Sequence, residues 1–181
     1  GGLPFLLLDA QFDSRRDTPL TIIGPVGTAE RLKAAMAVFF PGSSRNEWRF
    51  ALDIVELPCR TEMRFADVTI WTAEVAHPSG APSTAVRLVN GGRTLVYSGD
   101  TSWTETLVEI AQGADLFITE CFRLSGAPVA HLDLEQIEAN RARFNAGRIM
   151  LTHMSAPVLE KLAEIEARGY VAAHDGLVLD V

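Results

Sequence analysis

The strongest constraint on the fold comes from residues 83–100, where two strand-like runs flank the turn Asn90-Gly91-Gly92. An Asn-Gly sequence between such runs is typical of a β-hairpin, because these residues adopt the positive φ angles that a tight turn requires. After this hairpin, apolar runs of strand length at 114–122 and 148–155 alternate with segments of helical spacing. A hairpin followed by strand–helix alternation predicts a mixed sheet with helices packed on it, which is the α/β (α+β) class.

The other segments complete one predicted domain over residues 1–181. With 181 residues, of which 48% are hydrophobic, the chain is long enough to bury a sizeable core. The strands predicted outside the hairpin span 19–25, 51–58, 63–77, 114–122, 148–155 and a terminal pair within 170–181. The predicted helices span 3–12, 27–40, 103–114, 133–147 and 156–169. Thr28 is expected near the N-cap of its helix, and Gly147 is expected at the C′ position of another.

The overall charge and the cysteines restrict the class of protein. The formal net charge of −7 disfavours a polyanion such as nucleic acid as a partner. The two cysteines, Cys59 and Cys121, have no C-x-x-C spacing, so we expect a reducing compartment and a cytoplasmic protein. No apolar run approaches the length of a membrane span, so no membrane partner is expected.

Three polar side chains follow apolar strand-like runs and are candidates for chemistry. His77 follows residues 63–76, Asp100 follows the second hairpin strand, and His153 follows residues 148–152. Two imidazoles and a carboxylate at strand ends predict a site for a divalent metal such as zinc, manganese or iron. The alternative is structural: each histidine forms an ordinary hydrogen bond, and Asp100 caps the helix that follows it.

The motifs VYSGDT, FITECF, AHLD and IMLTHMS, in this order, resemble those of metallo-β-lactamase-fold hydrolases of the ribonuclease Z-like group. The resemblance implies an αββα sandwich in which His77, Asp100 and His153 are metal ligands. It further implies that Asp100 bridges two metal ions. Glu120 and His131 are implied to form a pair that either supports the metal ligands or donates a proton.

One signature of that group, H-x-H-x-D-H, does not occur in residues 1–181. In the family this motif stands just before a G-L-P sequence, which matches Gly2-Leu3-Pro4 here. We therefore expect the chain to be the C-terminal part of a longer protein, with the N-terminal strands and the metal motif outside it. The full-length protein is expected to bind two divalent ions, most simply zinc, and residues 1–181 alone to bind metal weakly or not at all and to be inactive.

The resemblance implies a hydrolase with a metal-bridged hydroxide that acts on a small phosphodiester, cyclic phosphate or related ester. His77 and Asp100 are separated by a single hairpin, which leaves no room for a tRNA-binding arm. Arg123 is the candidate contact for an anionic substrate group. The alternatives are a tRNA 3′-processing endoribonuclease-like enzyme and a non-catalytic domain that has lost its metal cluster, and a homodimer is left open.

Overall fold

The computed structural model describes residues 1–45, 47–126 and 128–181. By its internal contacts the chain divides into two compact units, Gly1–Pro58 and Cys59–Val181. The sequence-based interpretation of residues 1–181 as one domain stays a prediction. No helix in the described parts of the chain is both long enough and apolar enough to cross a membrane.

The first unit consists of two helices and a two-stranded parallel sheet. Its elements are α1 (Leu3–Leu8), β1 (Leu20–Gly24), α2 (Thr28–Phe39) and β2 (Leu52–Glu56), with a π-helical turn after α1 and a 3₁₀ turn after α2. Side chains at helical spacing on α2 pack against the centre of β1, because each element has one apolar side. This small core consists of Leu7, Ala10, Ile22, Leu32, Met36 and Phe50.

The second unit is built on a seven-stranded mixed sheet. In spatial and chain order its strands are β3 (Glu62–Phe65), β4 (Val68–Glu74), β5 (Thr84–Asn90), β6 (Arg93–Tyr97), β7 (Leu116–Glu120), β8 (Arg148–Thr152) and β9 (Val171–Ala172). Neighbours from β3 to β6 are antiparallel, whereas those from β6 to β9 are parallel. The predicted hairpin joins β5 and β6, with Asn90 opposite Arg93.

Helices follow the parallel strands, as the strand–helix alternation predicts. They are α3 (Thr106–Ala111), α4 (Leu134–Phe144), α5 (Ala156–Leu159) and α6 (Leu162–Ala167). Alternate residues of the central strands, such as Val96 and Phe117, are fully buried with Ile110 of α3 and Ile137 of α4. This continuous core fixes the ends of the strands on which the candidate site residues lie.

Thr28 lies near the N-cap of α2, as predicted: Gly27 is the N-cap with φ 90°, Thr28 is the first residue of the helix, and the Thr28 hydroxyl donates to the Pro25 carbonyl. The predicted end of α4 is wrong in detail. The helix ends at Phe144, and its C-cap Asn145 adopts the left-handed conformation that was expected of Gly147. Gly147 is instead needed for close approach, because a Cβ atom there would lie 3.1 Å from the Asp115 carbonyl oxygen.

The C-terminal predictions also need correction. Residues 156–169 form two short helices rather than one, because the backbone of Lys161 leaves the helical region at φ −107° and ψ 10°. Val158 and Ile165 are buried on either side of this break. In place of the terminal strand pair, only Val171–Ala172 pairs with the sheet, and Val178, which alternation would bury, is 87% exposed.

The two thiols are expected to differ in reactivity because only Cys121 lies in the core. Burial raises the pKa of Cys121 to about 12, and this side chain is inaccessible. Cys59 is partly exposed, although burial and the charge of Glu74 raise its pKa as well.

At pH 8, a disulfide reagent such as DTNB should label one thiol in the folded protein and two after denaturation. Cys59→Ser should abolish the native labelling, and rapid labelling of that variant would contradict the placement of Cys121.

Candidate metal centre

The candidate residues converge because four strands point in the same direction. β4 and β6 both run antiparallel to β5, and β7 and β8 run parallel to β6. Their carboxyl ends therefore meet at one edge of the sheet. His77 follows β4, Asp100 follows β6, Glu120 is the last residue of β7, and His153 directly follows β8.

At this edge, Asp100, His131 and His153 form a compact cluster. One potential ligand atom from each of the three lies within 4.8 Å of the others. Nε2 of His153 is 3.9 Å from Oδ2 of Asp100. The rings of His131 and His153 are stacked, with centroids 5.2 Å apart. Two of the three predicted ligands, Asp100 and His153, are thus brought together, and His131 joins them.

His77 lies beside this cluster rather than within it. Its ring centroid is 5.7 Å from that of His131. Together with Asp100, Tyr97 and Ser79, it lines an open cavity of about 340 Å³. The predicted ligand His77 therefore faces the same cavity as Asp100, but it is not part of the cluster of Asp100, His131 and His153.

Glu120 is a buried carboxylate that bonds to two parts of the site. Its side chain is 1% exposed; Oε1 accepts the backbone N–H of Thr101, and Oε2 lies 2.9 Å from Nδ1 of His131. Burial raises the pKa of Glu120, and the Thr101 N–H and His131 partly offset this effect. An ionised Glu120 accepts the Nδ1 proton of His131, so Nε2 is the ring nitrogen that remains for a ligand or a proton.

Hydrogen bonds connect the loops that carry these residues. The backbone N–H of Ala76 donates to Oγ1 of Thr101, and the N–H of Ser102 donates to the Ala76 carbonyl. The Ser102 hydroxyl accepts the N–H of Ala130 over 2.7 Å. The residues next to His77, Asp100 and His131 are thus bonded to one another, which limits the relative motion of the three side chains.

Backbone conformation at the site is unusual at three positions. Gly99 has φ 63°, and there a Cβ atom would lie 3.4 Å from the Thr84 carbonyl oxygen. His153 and Ala130 also have positive φ, 52° and 87°, although neither is glycine. For residues other than glycine, such conformations cost about 1–3 kcal/mol each and persist where surrounding contacts enforce them, which is common at functional sites.

The structural alternative for Asp100 is not supported. The N-cap of α3 is Glu105, and no side chain forms a capping hydrogen bond there. His174 lies outside the cluster, and its Nδ1 lies 3.0 Å from the Asp175 carbonyl oxygen. Arg123 is exposed, and its guanidinium carbon lies 5.8 Å from the centre of the Phe122 ring.

Phe122 is a further residue at this site that was not among the candidates predicted from the sequence. This half-buried ring is stacked on His131 at a centroid distance of 4.7 Å and on His153 at 5.5 Å. The predicted strand 114–122 indicates its position, because residues two apart in a strand share a side and Phe122 stands two positions after Glu120. Without the positions of the two histidines, however, this phenylalanine resembles any other core residue.

A family model described as "Beta-lactamase superfamily domain" matches residues 4–154. The chain belongs to the metallo-β-lactamase superfamily. The Mycobacterium tuberculosis protein named "Uncharacterized protein Rv1339" is 30% identical over 145 residues, which are 78% of this chain and 52% of the relative. The chain therefore spans about half the length of this relative.

Solved structures show the same metallo-β-lactamase fold. The metallo-β-lactamase fold protein YhfI from Bacillus subtilis superposes with a TM-score of 0.69 at 24% identity, over 99% of this chain and 71% of YhfI. The short form of human tRNase Z gives a TM-score of 0.72 at 21% identity, over 99% of this chain and 73% of that protein. The predicted fold class and the resemblance to this superfamily are confirmed. The assigned roles of the six site residues stay predictions.

The donor set fits the metal dependence of the superfamily. Imidazole and carboxylate are ligands that zinc, manganese and iron accept. The carboxylate–histidine contact between Glu120 and His131 is the support that metal-binding histidines usually have. By contrast, an apolar cavity of about 550 Å³ in the first unit has no histidine, cysteine or acidic residue among the described residues that line it. The residues that could hold a metal ion, Asp100, His131 and His153, lie at the sheet edge.

Proposed function

We propose that the protein is a metal-dependent hydrolase that acts on a small phosphodiester, cyclic phosphate or related ester. The observation that carries this proposal is the convergence of Asp100, His131 and His153 within 4.8 Å at the carboxyl edge of the sheet. The buried Glu120 beside His131 adds an acid–base element to this cluster. Membership of the metallo-β-lactamase superfamily supports hydrolysis as the reaction class.

Asp100 and His153 are the proposed metal ligands, with His77 as a third from the neighbouring strand end. In the complete protein two divalent ions would be held, with the Asp100 carboxylate as a ligand that could serve both. When bound, such ions acidify water and polarise the scissile bond. The identity of the metal is proposed to be zinc, with manganese or iron as alternatives that the same ligands accept.

His131 is proposed to donate a proton to the leaving oxygen. When both ring nitrogens are protonated, Nε2 supplies the proton and Nδ1 donates to Oε2 of Glu120, 2.9 Å away. The Glu120 carboxylate stabilises the charged ring and keeps it oriented. The bond from the Thr101 N–H to the other carboxylate oxygen prevents Glu120 from rotating away.

A small anionic ester is the proposed substrate class. The interval between His77 and Asp100 is occupied by the β5–β6 hairpin and the loop before it, and it has no protruding arm. The net charge of −7 disfavours a polyanion such as tRNA. Arg123, exposed beside Phe122, is proposed to contact the anionic group of the substrate.

The test is a substrate screen of the protein expressed from its complete reading frame and loaded with Zn²⁺ or Mn²⁺. Bis-p-nitrophenyl phosphate, lactones, thioesters and precursor tRNA would be compared. Turnover of the phosphodiester that is lost on chelation and restored by metal is the expected result. Cleavage of precursor tRNA alone would favour the endoribonuclease alternative. Metal-loaded protein without turnover of any substrate would favour a non-catalytic domain.

His131→Ala should lower kcat about 100-fold and leave the bound metal unchanged, because the proton donor is lost and the proposed ligands are retained. Metal content by atomic emission and kcat for bis-p-nitrophenyl phosphate give the two readouts. His174→Ala is the matched control, since that exposed histidine lies outside the cluster. If His131→Ala loses its metal, His131 is a ligand and the proton-donor assignment is wrong.

A further inference from the structure

Phe122 contacts both histidines of the cluster through its ring. The ring planes of Phe122 and His131 are inclined by 24°, and those of Phe122 and His153 by 28°. The two imidazoles are themselves inclined by 27°. The three rings are therefore nearly parallel, and one aromatic side chain packs against two residues that come from separate loops.

The backbone of Phe122 connects the same two loops. Its N–H donates to the carbonyl of Leu132, the neighbour of His131, over 2.9 Å. Its carbonyl accepts the N–H of Ser155, two residues after His153, over 3.2 Å. The ring and the main chain of Phe122 thus both contact the loops that carry His131 and His153.

His153 depends on this packing more than His131 does. His131 has a bond to the buried Glu120. Across the described ranges, the ring of His153 has no hydrogen bond; its contact with Asp100 is 3.9 Å, which is longer than a hydrogen bond. The His153 side chain is also 43% exposed, and its backbone has a positive φ. Stacking against Phe122 and His131 is therefore what restricts its orientation.

We infer that Phe122 is a positioning residue that holds the imidazoles of His131 and His153 in a common orientation for metal binding and proton transfer. The inference rests on the proposed function, in which both imidazoles act on the same substrate. A flat ring is required because it packs face to face against two imidazoles at once. An aliphatic side chain fills part of the same volume but restricts neither ring plane.

Zinc affinity of the complete protein gives the first test. Phe122→Leu should weaken Zn²⁺ binding about tenfold, the size of effect seen when a residue that orients metal ligands is lost. Phe122→Trp should bind Zn²⁺ with an affinity within about twofold of the wild type because it retains a flat ring. The matched control is Phe65→Leu, an exposed aromatic residue of β3. Equal affinity of the wild type and Phe122→Leu would overturn the inference and leave the proposed function intact.

A metal-free measurement separates the inference from the proposed function. Side-chain ¹³C relaxation of the histidine rings should show greater motion of His153 than of His131 in Phe122→Leu, and no change in Phe122→Trp. If Phe122→Leu does not fold, Phe122→Met replaces it. If the wild type binds no metal, the proposed function fails, and ring motion alone decides the positioning role. Unchanged ring motion of His153 would overturn that role.

Discussion

Replacement of Glu120 by alanine is expected to lower the free energy of unfolding by about 2 to 3 kcal/mol. The side chain is buried, and its loss leaves the Thr101 N–H in the core without an acceptor. An unsatisfied buried donor costs about 1–3 kcal/mol, and the vacated space adds to this cost. Urea denaturation monitored by tryptophan fluorescence measures the change. The loss of the bond to His131 should also increase the mobility of that ring.

Two further variants make this result specific. Glu120→Gln retains an acceptor for Thr101 and should unfold within about 1 kcal/mol of the wild type. Its amide can donate to Nδ1 of His131, which reverses the direction of that hydrogen bond and places the ring proton on Nε2. ¹⁵N spectra of the histidine rings would detect the changed tautomer. Glu166→Ala, at an exposed position of α6, should leave stability unchanged. Equal stability of the wild type and Glu120→Ala would mean that the carboxylate is not part of a buried network.

Asp100→Asn is expected to remove most of the divalent metal from the protein. In this cluster only Asp100 carries a negative charge, and a neutral amide compensates the charge of a cation poorly. The backbone should tolerate the change, because the side chain is 39% exposed and does not cap α3. Equilibrium dialysis with Zn²⁺, followed by atomic emission, should show at least a tenfold loss of affinity.

The same measurement on other variants checks the ligand assignment. His153→Ala should reproduce the loss, whereas His174→Ala should bind like the wild type. His77→Ala should weaken binding because it removes the third proposed ligand. Normal metal loading of Asp100→Asn would show that the metal binds elsewhere and would remove the main support for the proposed function.

The sequence predicted the parts of the site that depend on where strands end. Asp100 and His153 follow apolar runs, and parallel strands bring such ends together whatever the detailed loop structure. The hairpin at Asn90-Gly91-Gly92 was predictable for a similar reason, because its turn depends on local backbone preferences. These features follow from local patterns and from the topology that they imply.

Features that depend on contacts between loops could not be predicted. The bond from Ala130 to the Ser102 hydroxyl joins residues far apart in the chain, and no local pattern indicates it. The positive φ of His153 depends on the surrounding packing rather than on residue type. The close approach of Gly147 to the Asp115 carbonyl is likewise a tertiary contact, whereas the left-handed Asn145 follows a local preference of asparagine at helix ends.

Asp100 and His153, two of the proposed ligands, belong to separate stretches of chain, so metal affinity would report on the assembly of the sheet. These two side chains lie close together only when β6, β7 and β8 have paired. A ligand that binds only the folded state stabilises it by mass action. A bound ion would therefore stabilise the pairing of the parallel strands, which would separate less readily in its presence.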